Sequence, residues 1–168
     1  MIYCFDTFYF EDKAQTSCLG INAWSDDEAS FELTERIGDI QPYESGFFYK
    51  RELPCLKSIL RKIELNSIDD ILVIDGFVRL DDNKKLGLGG YLFEYLEAKI
   101  PVIGVAKNNF ATINTLKREI TRGESAKPLF ITAMGIDLDL ASDYISSMHG
   151  EFRIPTILKL VDTYCRHI

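Results

Sequence analysis

The pattern of apolar and polar positions changes along the chain, from strand-like runs at the start to helical spacing further on. Residues 2–10 are dense in aromatic and β-favouring side chains and predict a buried strand. Residues 16–24 and 29–37 are two further strand-like runs, and the Ser-Asp-Asp-Glu segment between them is typical of a turn. The simplest arrangement of these three runs is an antiparallel meander.

Helical spacing begins at Pro54, after a loop-like segment at residues 41–48. Because proline fits an early helical position, we expect the first helix to start there. Residues 71–74 and 101–106 are continuous apolar runs, as expected of central strands covered on both faces. The remaining predicted elements are a short strand at 129–132 and helices at 89–99, 138–148 and 155–166.

The order of elements, β-β-β-α-β-α-β-β-α-α, predicts an α/β fold with a mixed sheet, and it is compatible with a ribonuclease-H-like core. Without internal repeats or a linker, residues 1–168 are expected to form one domain. The Gly-Leu-Gly-Gly run at 87–90 has neither a phosphate-loop frame nor a dinucleotide fingerprint, and it indicates close backbone approach at a helix start.

The acidic balance of the chain bears on its partners. There are 19 Lys and Arg against 26 Asp and Glu, a formal net charge of −7. Because affinity for phosphates is largely cationic, this charge argues against a broad basic face that grips nucleic acid. The hydrophobic fraction of 46% and the charged fraction of 27% exclude a disordered, collagen-like or coiled-coil chain.

Cysteine and histidine usage and hydropathy narrow the chemistry and the location. Four cysteines lie far apart with no C-x-x-C pair, which favours reduced thiols over disulfides or a thiolate zinc site. With two histidines, metal chemistry rests on carboxylates, whose oxygens suit Mg²⁺ or Mn²⁺. No run approaches the roughly 18 apolar residues of a membrane span, and no leader pattern opens the chain, so we expect a cytoplasmic protein.

Three acidic residues stand out from the solvated surface. Asp6 interrupts an apolar strand, where burial of an unpaired carboxylate is costly. Asp75 ends a central strand, at the edge where α/β sheets bind ligands, although Asp-Gly is also turn chemistry. Glu52 lies near the expected helix start, where an acid beside the dipole is the simpler interpretation. Together they would form an Mg²⁺ site for two-metal phosphodiester hydrolysis, with Lys107 either neutralising the phosphate or being a plain surface lysine.

Six sequence blocks, in the same order, resemble the endonuclease V family and run from residue 6 to 162. The most specific are residues 42–54, similar to P-Y-x-x-G-x-L-x-x-R-E-x-P, and residues 100–107, similar to P-x-I-G-V-A-K. The other four are residues 6–9 (D-x-x-Y), 72–76 (strand-D-G), 127–135 (K-P-x-x-V-S-x-G) and 152–162 (Y-R-L-P…A-[HD]).

The resemblance implies a ribonuclease-H-like fold and Mg²⁺- or Mn²⁺-dependent cleavage of DNA or RNA in repair, at the second phosphodiester 3′ to inosine. It implies that Asp6, Glu52 and Asp75 bind the metal and that Lys107 serves the scissile phosphate. Tyr43 would belong to a wedge that fills the gap left by a base turned out of the stack. The positions that match the family's base pocket are Phe48, Gly76, Gly87 and Phe110. The expected partner is single-stranded or lesion-containing nucleic acid.

Several positions depart from the family pattern. Residues 77–83 replace a loop with two histidines and a proline, Ile136 stands where the family has histidine, and Ser45 replaces the wedge proline. Asp137 and Asp139 are candidate substitute ligands, although helix capping is the simpler role for Asp137. Three interpretations stay open: an inosine-directed nuclease, a nuclease for another lesion, and a catalytically silent protein that binds nucleic acid or a protein partner.

Overall fold

The computed structural model describes residues 1–110 and 112–168. Over these residues the chain forms seven strands and four helices. The strands are β1 (Ile2–Phe10), β2 (Lys13–Ile21), β3 (Phe31–Ile37), β4 (Ile71–Asp75), β5 (Val102–Ala106), β6 (Arg118–Ile120) and β7 (Leu129–Met134). The helices are α1 (Phe48–Leu60), α2 (Leu88–Tyr95), α3 (Leu138–Ser147) and α4 (Thr156–Arg166).

All seven strands join one mixed sheet in the order β3-β2-β1-β4-β5-β7-β6. The first three form the predicted antiparallel meander. β4 pairs in parallel with β1 on one side and with β5 on the other, while β7 is antiparallel to both β5 and β6. The three central strands β1, β4 and β5 therefore point the same way, and β1 extends beyond the carboxyl end of β4.

Helices cover both faces of the sheet. α1 and α2 pack on the face that carries Phe5 and Ile74, while α3 and α4 pack on the face that carries Cys4 and Val73. The alternation of neighbouring residues between the two clusters is the period of a strand buried on both sides. Each fully buried aliphatic side chain of this kind stabilises the fold by about 1.5–3 kcal/mol.

The start of the first helix differs from the prediction. α1 begins at Phe48, so Pro54 lies inside the helix and Glu52 in its second turn. The extra turn packs on α2, where the rings of Tyr49 and Tyr91 stack with centroids 4.1 Å apart. That contact offsets the hydrogen bond that proline cannot donate. The interpretation of Glu52 as an acid in the first helical turn is therefore wrong.

Smaller differences concern element boundaries. β2 begins at Lys13 because Glu11, with φ of 53°, closes a tight turn directly after β1. α2 ends earlier than predicted, where Glu97 and Ala98 take positive φ values of 56° and 58°. β6 was not predicted, since three mostly polar residues carry no strand pattern. Within the described residues, no helix is long and apolar enough to cross a membrane.

Candidate active site

Three of the four predicted catalytic residues lie at the level where β4 and β5 end, with Asp6 in the middle of the longer strand β1. Asp6 and Asp75 occupy adjacent positions, because each directly follows a residue of one parallel β1–β4 pair. Asp75 pairs with Val105 of β5, and Lys107 comes directly after that strand. Lys107 Nζ lies 4.0 Å from Asp75 Oδ2. The register of the parallel strands thus brings these side chains to one edge.

The fourth predicted residue, Glu52, reaches the same edge from α1. Its carboxylate is buried and accepts a hydrogen bond from Tyr9 Oη at 3.5 Å. Burial raises the pKa of Glu52 well above its ordinary value, and repulsion from Asp6 and Asp75 adds to the effect. Burial, followed by repulsion from Asp75, raises the pKa of Asp6 to about 7. The three carboxyl groups are therefore close enough to oppose one another's ionisation.

These acids offer the oxygen donors that suit a hard divalent cation, but among the described residues the ligand-type atoms of Asp6, Glu52 and Asp75 do not all lie within 4.8 Å of one another. Asp6 accepts one hydrogen bond, from the Thr7 amide at 2.8 Å, and Glu52 one from Tyr9. Neither makes a salt bridge within the described part of the chain. Buried carboxylates that repel one another and lack a cationic partner are stabilised by a bound metal ion. Because the donors are oxygens, Mg²⁺ or Mn²⁺ is the matching type.

A fourth acid, Asp162 on α4, lies beside Asp6 and was not predicted as a site residue. One ligand-type atom each of Asp6, Asp162 and Cys165 lie within 4.8 Å of one another. Burial alone would raise the pKa of Asp162, but a hydrogen bond and charge from Arg166 outweigh it, and the pKa is lowered. The signal for Asp162 was its place at the His-or-Asp position that ends the last sequence block.

The backbone of Lys107 is held from the loop before α4. The Arg153 guanidinium donates a short hydrogen bond to the Lys107 carbonyl and another to the Pro128 carbonyl at 2.8 Å. Its Nε donates to the Lys127 carbonyl at 3.0 Å. Arg153 lies in the last sequence block, but no role was predicted for it. It ties the end of β5 to the start of β7.

A cavity of about 480 Å³ opens next to Asp75 and Lys107. All five residues that the resemblance assigned to the wedge and base pocket line it: Tyr43, Phe48, Gly76, Gly87 and Phe110. Tyr43 is 60% exposed at its rim. Aromatic side chains contribute to the walls, among them Phe77 and Phe110, whose ring centroids lie 5.8 Å apart. Aromatic walls of this kind suit a flat, stacking ligand such as a base.

Asp82 lies close to this cavity, two residues after Leu80 of its lining, in the loop that departs from the family. The Asp82 carboxylate accepts hydrogen bonds from three consecutive amides, those of Asn114, Thr115 and Leu116, at 2.9–3.1 Å for Oδ1. These bonds, first that of Asn114, lower the pKa of Asp82. Thr112 Oγ1 also donates to the Leu80 carbonyl, at 2.7 Å. We call this contact between residues 80–82 and 112–116 the loop clamp.

Glycines allow the cavity floor to pack closely. A Cβ on Gly87 would lie 2.5 Å from the Phe77 carbonyl oxygen, and one on Gly90 would lie 2.6 Å from that of Val78. The predicted close approach at this helix start is therefore confirmed. A Cβ on Gly104 of β5 would meet the Gly76 carbonyl oxygen at 2.5 Å. The glycine of the P-x-I-G-V-A-K block thus lets the segment after Asp75 lie on the sheet.

The two candidate substitute ligands lie elsewhere. Asp137 caps α3, where its carboxylate accepts from the Leu140 amide at 2.9 Å, as the simpler interpretation predicted. Asp139 pairs with Arg118 at 2.6 Å on the surface. Ile136 packs against the core cluster under α3 and α4. The acid that accompanies Asp6 is Asp162 instead.

Comparison with known proteins identifies relatives of the sequence. The family model for endonuclease V matches residues 1–136. Endonuclease V of Trichormus variabilis is 29% identical over 140 residues, 72% of this chain and 61% of the relative. Endonuclease V of Streptomyces avermitilis is 25% identical over 150 residues, 77% of this chain and 63% of the relative. The chain therefore spans about three fifths of the length of these curated relatives.

Solved structures show the same fold. Ciona intestinalis endonuclease V, in complex with DNA containing an inosine followed by a ribo-adenosine, superimposes with a TM-score of 0.78 at 16% identity, covering 98% of this chain and 83% of that one. The catalytic domain of human endonuclease V gives a TM-score of 0.75 at 22% identity, with 98% and 80% covered. The predicted ribonuclease-H-like fold is thereby confirmed. Together with the sequence match over residues 1–136, this shows that the chain belongs to the endonuclease V family.

Proposed function

We propose that this protein is a metal-dependent endonuclease that hydrolyses a phosphodiester bond 3′ to inosine in DNA or RNA. The observation that carries the proposal is the convergence of Asp6, Glu52, Asp75 and Lys107 at one sheet edge, directly beside an aromatic cavity. A cluster of acids next to a base-sized cavity is what an enzyme needs to hold a base out of the stack and cut the nearby backbone.

Asp6, Glu52 and Asp75 would hold Mg²⁺ or Mn²⁺, with Asp162 as a further acid next to Asp6. When bound, divalent ions supply an activated water and stabilise the leaving oxygen in a two-metal hydrolysis. Tyr9 Oη, which donates to Glu52, orients that carboxylate. The acids are fixed by strand ends and a helix, so the ligands are positioned before the substrate arrives.

Lys107 is suited to the scissile phosphate. Its ammonium group and Asp75 are both about two fifths exposed, and their separation of 4.0 Å makes a weak surface pair. The lysine is therefore free to exchange this contact for a phosphate oxygen and to offset its negative charge. The Arg153 hydrogen bond to its carbonyl keeps the Lys107 backbone in place while the side chain moves.

The cavity would receive the flipped base, and Tyr43 would enter the gap in the stack. The tyrosine is exposed and lines the cavity. Stacking on aromatic rings contributes about 1–3 kcal/mol per base. The net charge of −7 limits non-specific binding, so we expect modest affinity for undamaged duplex, set by the cavity and the metal.

The test is cleavage of single-stranded DNA and RNA oligonucleotides that contain one inosine, with Mg²⁺ or Mn²⁺. We expect cleavage by the intact chain and its loss in Asp75→Asn. The matched control is Asp143→Asn, which changes an exposed acid on α3. Failure of the intact chain to cut any such oligonucleotide would rule out the proposal.

A second candidate is cleavage at another lesion, which is favoured by the rebuilt loop at residues 77–83 and its clamp through Asp82. The same assay on abasic, uracil-containing, mismatched and flap oligonucleotides separates the two, since preference for one of these over inosine supports the second. Calorimetric measurement of Mn²⁺ binding tests the third interpretation, that the protein is catalytically silent. Clear binding that disappears in Asp6→Asn argues against silence.

A further inference from the structure

Beyond the acids, β1 continues as a surface of aromatic rings and guanidinium groups. Phe8 and Phe10 lie on the same face of the strand as Asp6, because side chains alternate. Their rings stack with centroids 6.1 Å apart. The Arg166 guanidinium lies 4.9 Å from the Phe8 centroid, and that of Arg36 lies 5.2 Å from the Phe10 centroid. We call these four residues the aromatic–arginine strip.

Hydrogen bonds fix both arginines in place. Arg36 donates twice to Gln15 Oε1, at 3.1 Å from Nε and 2.7 Å from Nη2. Gln15 is buried, and its own amide donates to carbonyls at the end of α4, including that of Cys165 at 3.1 Å. Arg166 Nε donates to Asp162 at 2.8 Å. Both arginines are exposed, and within the described residues their other N–H groups make no hydrogen bond, so these donors face solvent in fixed positions.

The strip leads directly away from the acids. With a rise of about 3.4 Å per residue, the Phe10 position lies roughly 14 Å along the strand from Asp6. Beyond Phe10, the acidic turn residues Glu11 and Asp12 end the cationic surface. The strip is thus bounded on one side by the candidate metal site and on the other by negative charge, a length that suits about two nucleotides.

The chemistry of the strip matches a polyanion. Arginine presents several N–H donors in one plane, a geometry that fits phosphate oxygens. Surfaces that combine aromatic rings with cationic groups are typical of proteins that bind single-stranded nucleic acid. In a chain with a net charge of −7, two ordered arginines beside the acids mark a local exception.

We propose that the aromatic–arginine strip binds the phosphate backbone of a single-stranded nucleic acid segment as it leaves the acid cluster. The inference rests on the proposed nuclease function, because the strip begins at the acids that would cut the strand. Arg36 and Arg166 contact neighbouring phosphates, and the rings of Phe8 and Phe10 support the guanidinium groups from below.

The test is binding without catalysis. Fluorescence anisotropy follows a labelled single-stranded oligonucleotide, as DNA and as RNA of the same sequence, in EDTA and over a range of salt concentrations. For Arg36→Gln we expect weaker binding and a log–log salt slope smaller by about 0.7, the value for one lost phosphate contact on a single strand. Arg61→Gln, an exposed arginine just after α1, is the matched control and leaves the slope unchanged.

Two further variants separate phosphate contact from a purely structural role. Arg36→Lys keeps the charge, so the slope should return towards that of the intact chain. Phe10→Leu keeps an apolar side chain but removes the ring under Arg36, and we expect it to weaken binding at equal salt. Equal reductions for DNA and RNA indicate backbone contact, whereas a loss confined to RNA places the contact on the 2′-hydroxyl and overturns the assignment to phosphate.

The proposal is overturned if Arg36→Gln and Phe10→Leu bind with the affinity and salt slope of Arg61→Gln, or if the intact chain does not bind single strands. Because the assay contains no divalent ion, its outcome is separate from cleavage. If the protein never cuts inosine substrates but its salt slope depends on Arg36, the proposed nuclease function is contradicted and the proposed role of the strip is supported. If the protein cuts these substrates but its salt slope does not change in Arg36→Gln, only the proposed role of the strip is contradicted.

Discussion

The sheet edge and the cavity wall hold their functional groups by different means. At the edge, Asp6 lies within β1, Asp75 ends β4 and Lys107 follows β5, and the backbone ladder of these parallel strands fixes their spacing. At the wall, two loops meet through the Asp82 carboxylate and the amides of residues 114–116. The edge is therefore rigid and insensitive to surface changes, whereas the contact between the two loops depends on a single half-buried side chain.

The two regions also differ in electrostatics. At the edge, burial and neighbouring acids raise the pKa of Asp6 and Glu52, so these carboxylates are kept at a cost to the fold. At the wall, backbone amides lower the pKa of Asp82, so its charge is stabilised by the fold. Function that costs stability is typical of a site built for a ligand, and the clamp shows the opposite, structural pattern.

The largest expected effect comes from Glu52→Gln. It should reduce cleavage by at least about a hundredfold. Substitution of a residue that only supports a metal ligand already costs up to about a hundredfold, and Glu52 is proposed to be a ligand itself. At neutral pH it should also raise the Tm of the metal-free protein, because a buried carboxylate and its repulsion with Asp6 and Asp75 are removed. Cleavage assays and thermal unfolding in EDTA measure the two effects.

Glu94→Gln on the exposed side of α2 is the control and should change neither quantity. A lower Tm for Glu52→Gln would mean that the carboxylate supports the fold, and the contrast between edge and wall would fail.

Gly104→Ala should destabilise the protein by about 1–3 kcal/mol, the usual range for overpacking. The new Cβ would lie 2.5 Å from the Gly76 carbonyl oxygen, so the segment that follows Asp75 has to move. Chemical denaturation measures the loss. Gly38→Ala is the matched control, since nothing lies within 4 Å of its added Cβ. Equal stability of the two variants would show that the edge is less rigid than its ladder suggests.

Asp82→Asn should loosen the cavity wall and leave the edge intact. Hydrogen exchange at the amides of residues 114–116 should accelerate, and the KM for inosine oligonucleotides should rise several-fold while Mn²⁺ affinity stays unchanged. Asp81→Asn, where the carboxylate accepts a hydrogen bond from one amide, that of Lys85, instead of three, is the matched control with a smaller effect. Weaker Mn²⁺ binding in Asp82→Asn would contradict the separation of the two regions.

The smallest effect is a pH dependence of the clamp. The pKa of Asp82 is depressed in the folded state. The contribution of its carboxylate to stability is therefore fully present above the ordinary aspartate pKa and is lost as pH falls through the depressed value. Exchange protection of the Thr115 amide should therefore persist at mildly acidic pH and disappear only in strong acid. Loss of protection near neutral pH would show that another group holds the loop.

The same contrast explains what could be predicted from the sequence. Asp75 and Lys107 were found because strand ends can be read from apolar runs and parallel strands share an edge, and Asp6 because a carboxylate interrupts an apolar strand. Glu52 was singled out near the expected helix start and again by its sequence block, but Pro54 was taken for the start of a helix that begins at Phe48. Asp82 could not be found, since its partners lie some thirty residues away across two loops. The periodicity of apolar residues predicts helices and strands, and it gives no information on a contact between two loops.

Asp162 and the aromatic–arginine strip were missed for a related reason. α4 was predicted, but which of its residues faces Asp6 depends on how the helix docks on the sheet. Arg36 and Arg166 come from opposite ends of the chain, and only the pairing of β2 with β3 and the packing of α4 bring them to Phe8 and Phe10.

The pairing of β1 with β4 has a consequence for how the protein folds. The meander of β1 to β3 uses contacts between chain neighbours, whereas β1 meets β4 only by joining Ile2 to Ile71 across the whole of α1. Long-range pairing closes slowly because its loop entropy is lost before contacts form. We therefore expect the meander to assemble early during synthesis on the ribosome. The acids should come together only after β4 has emerged, so that the nascent chain gains a compact half before it gains the acid cluster.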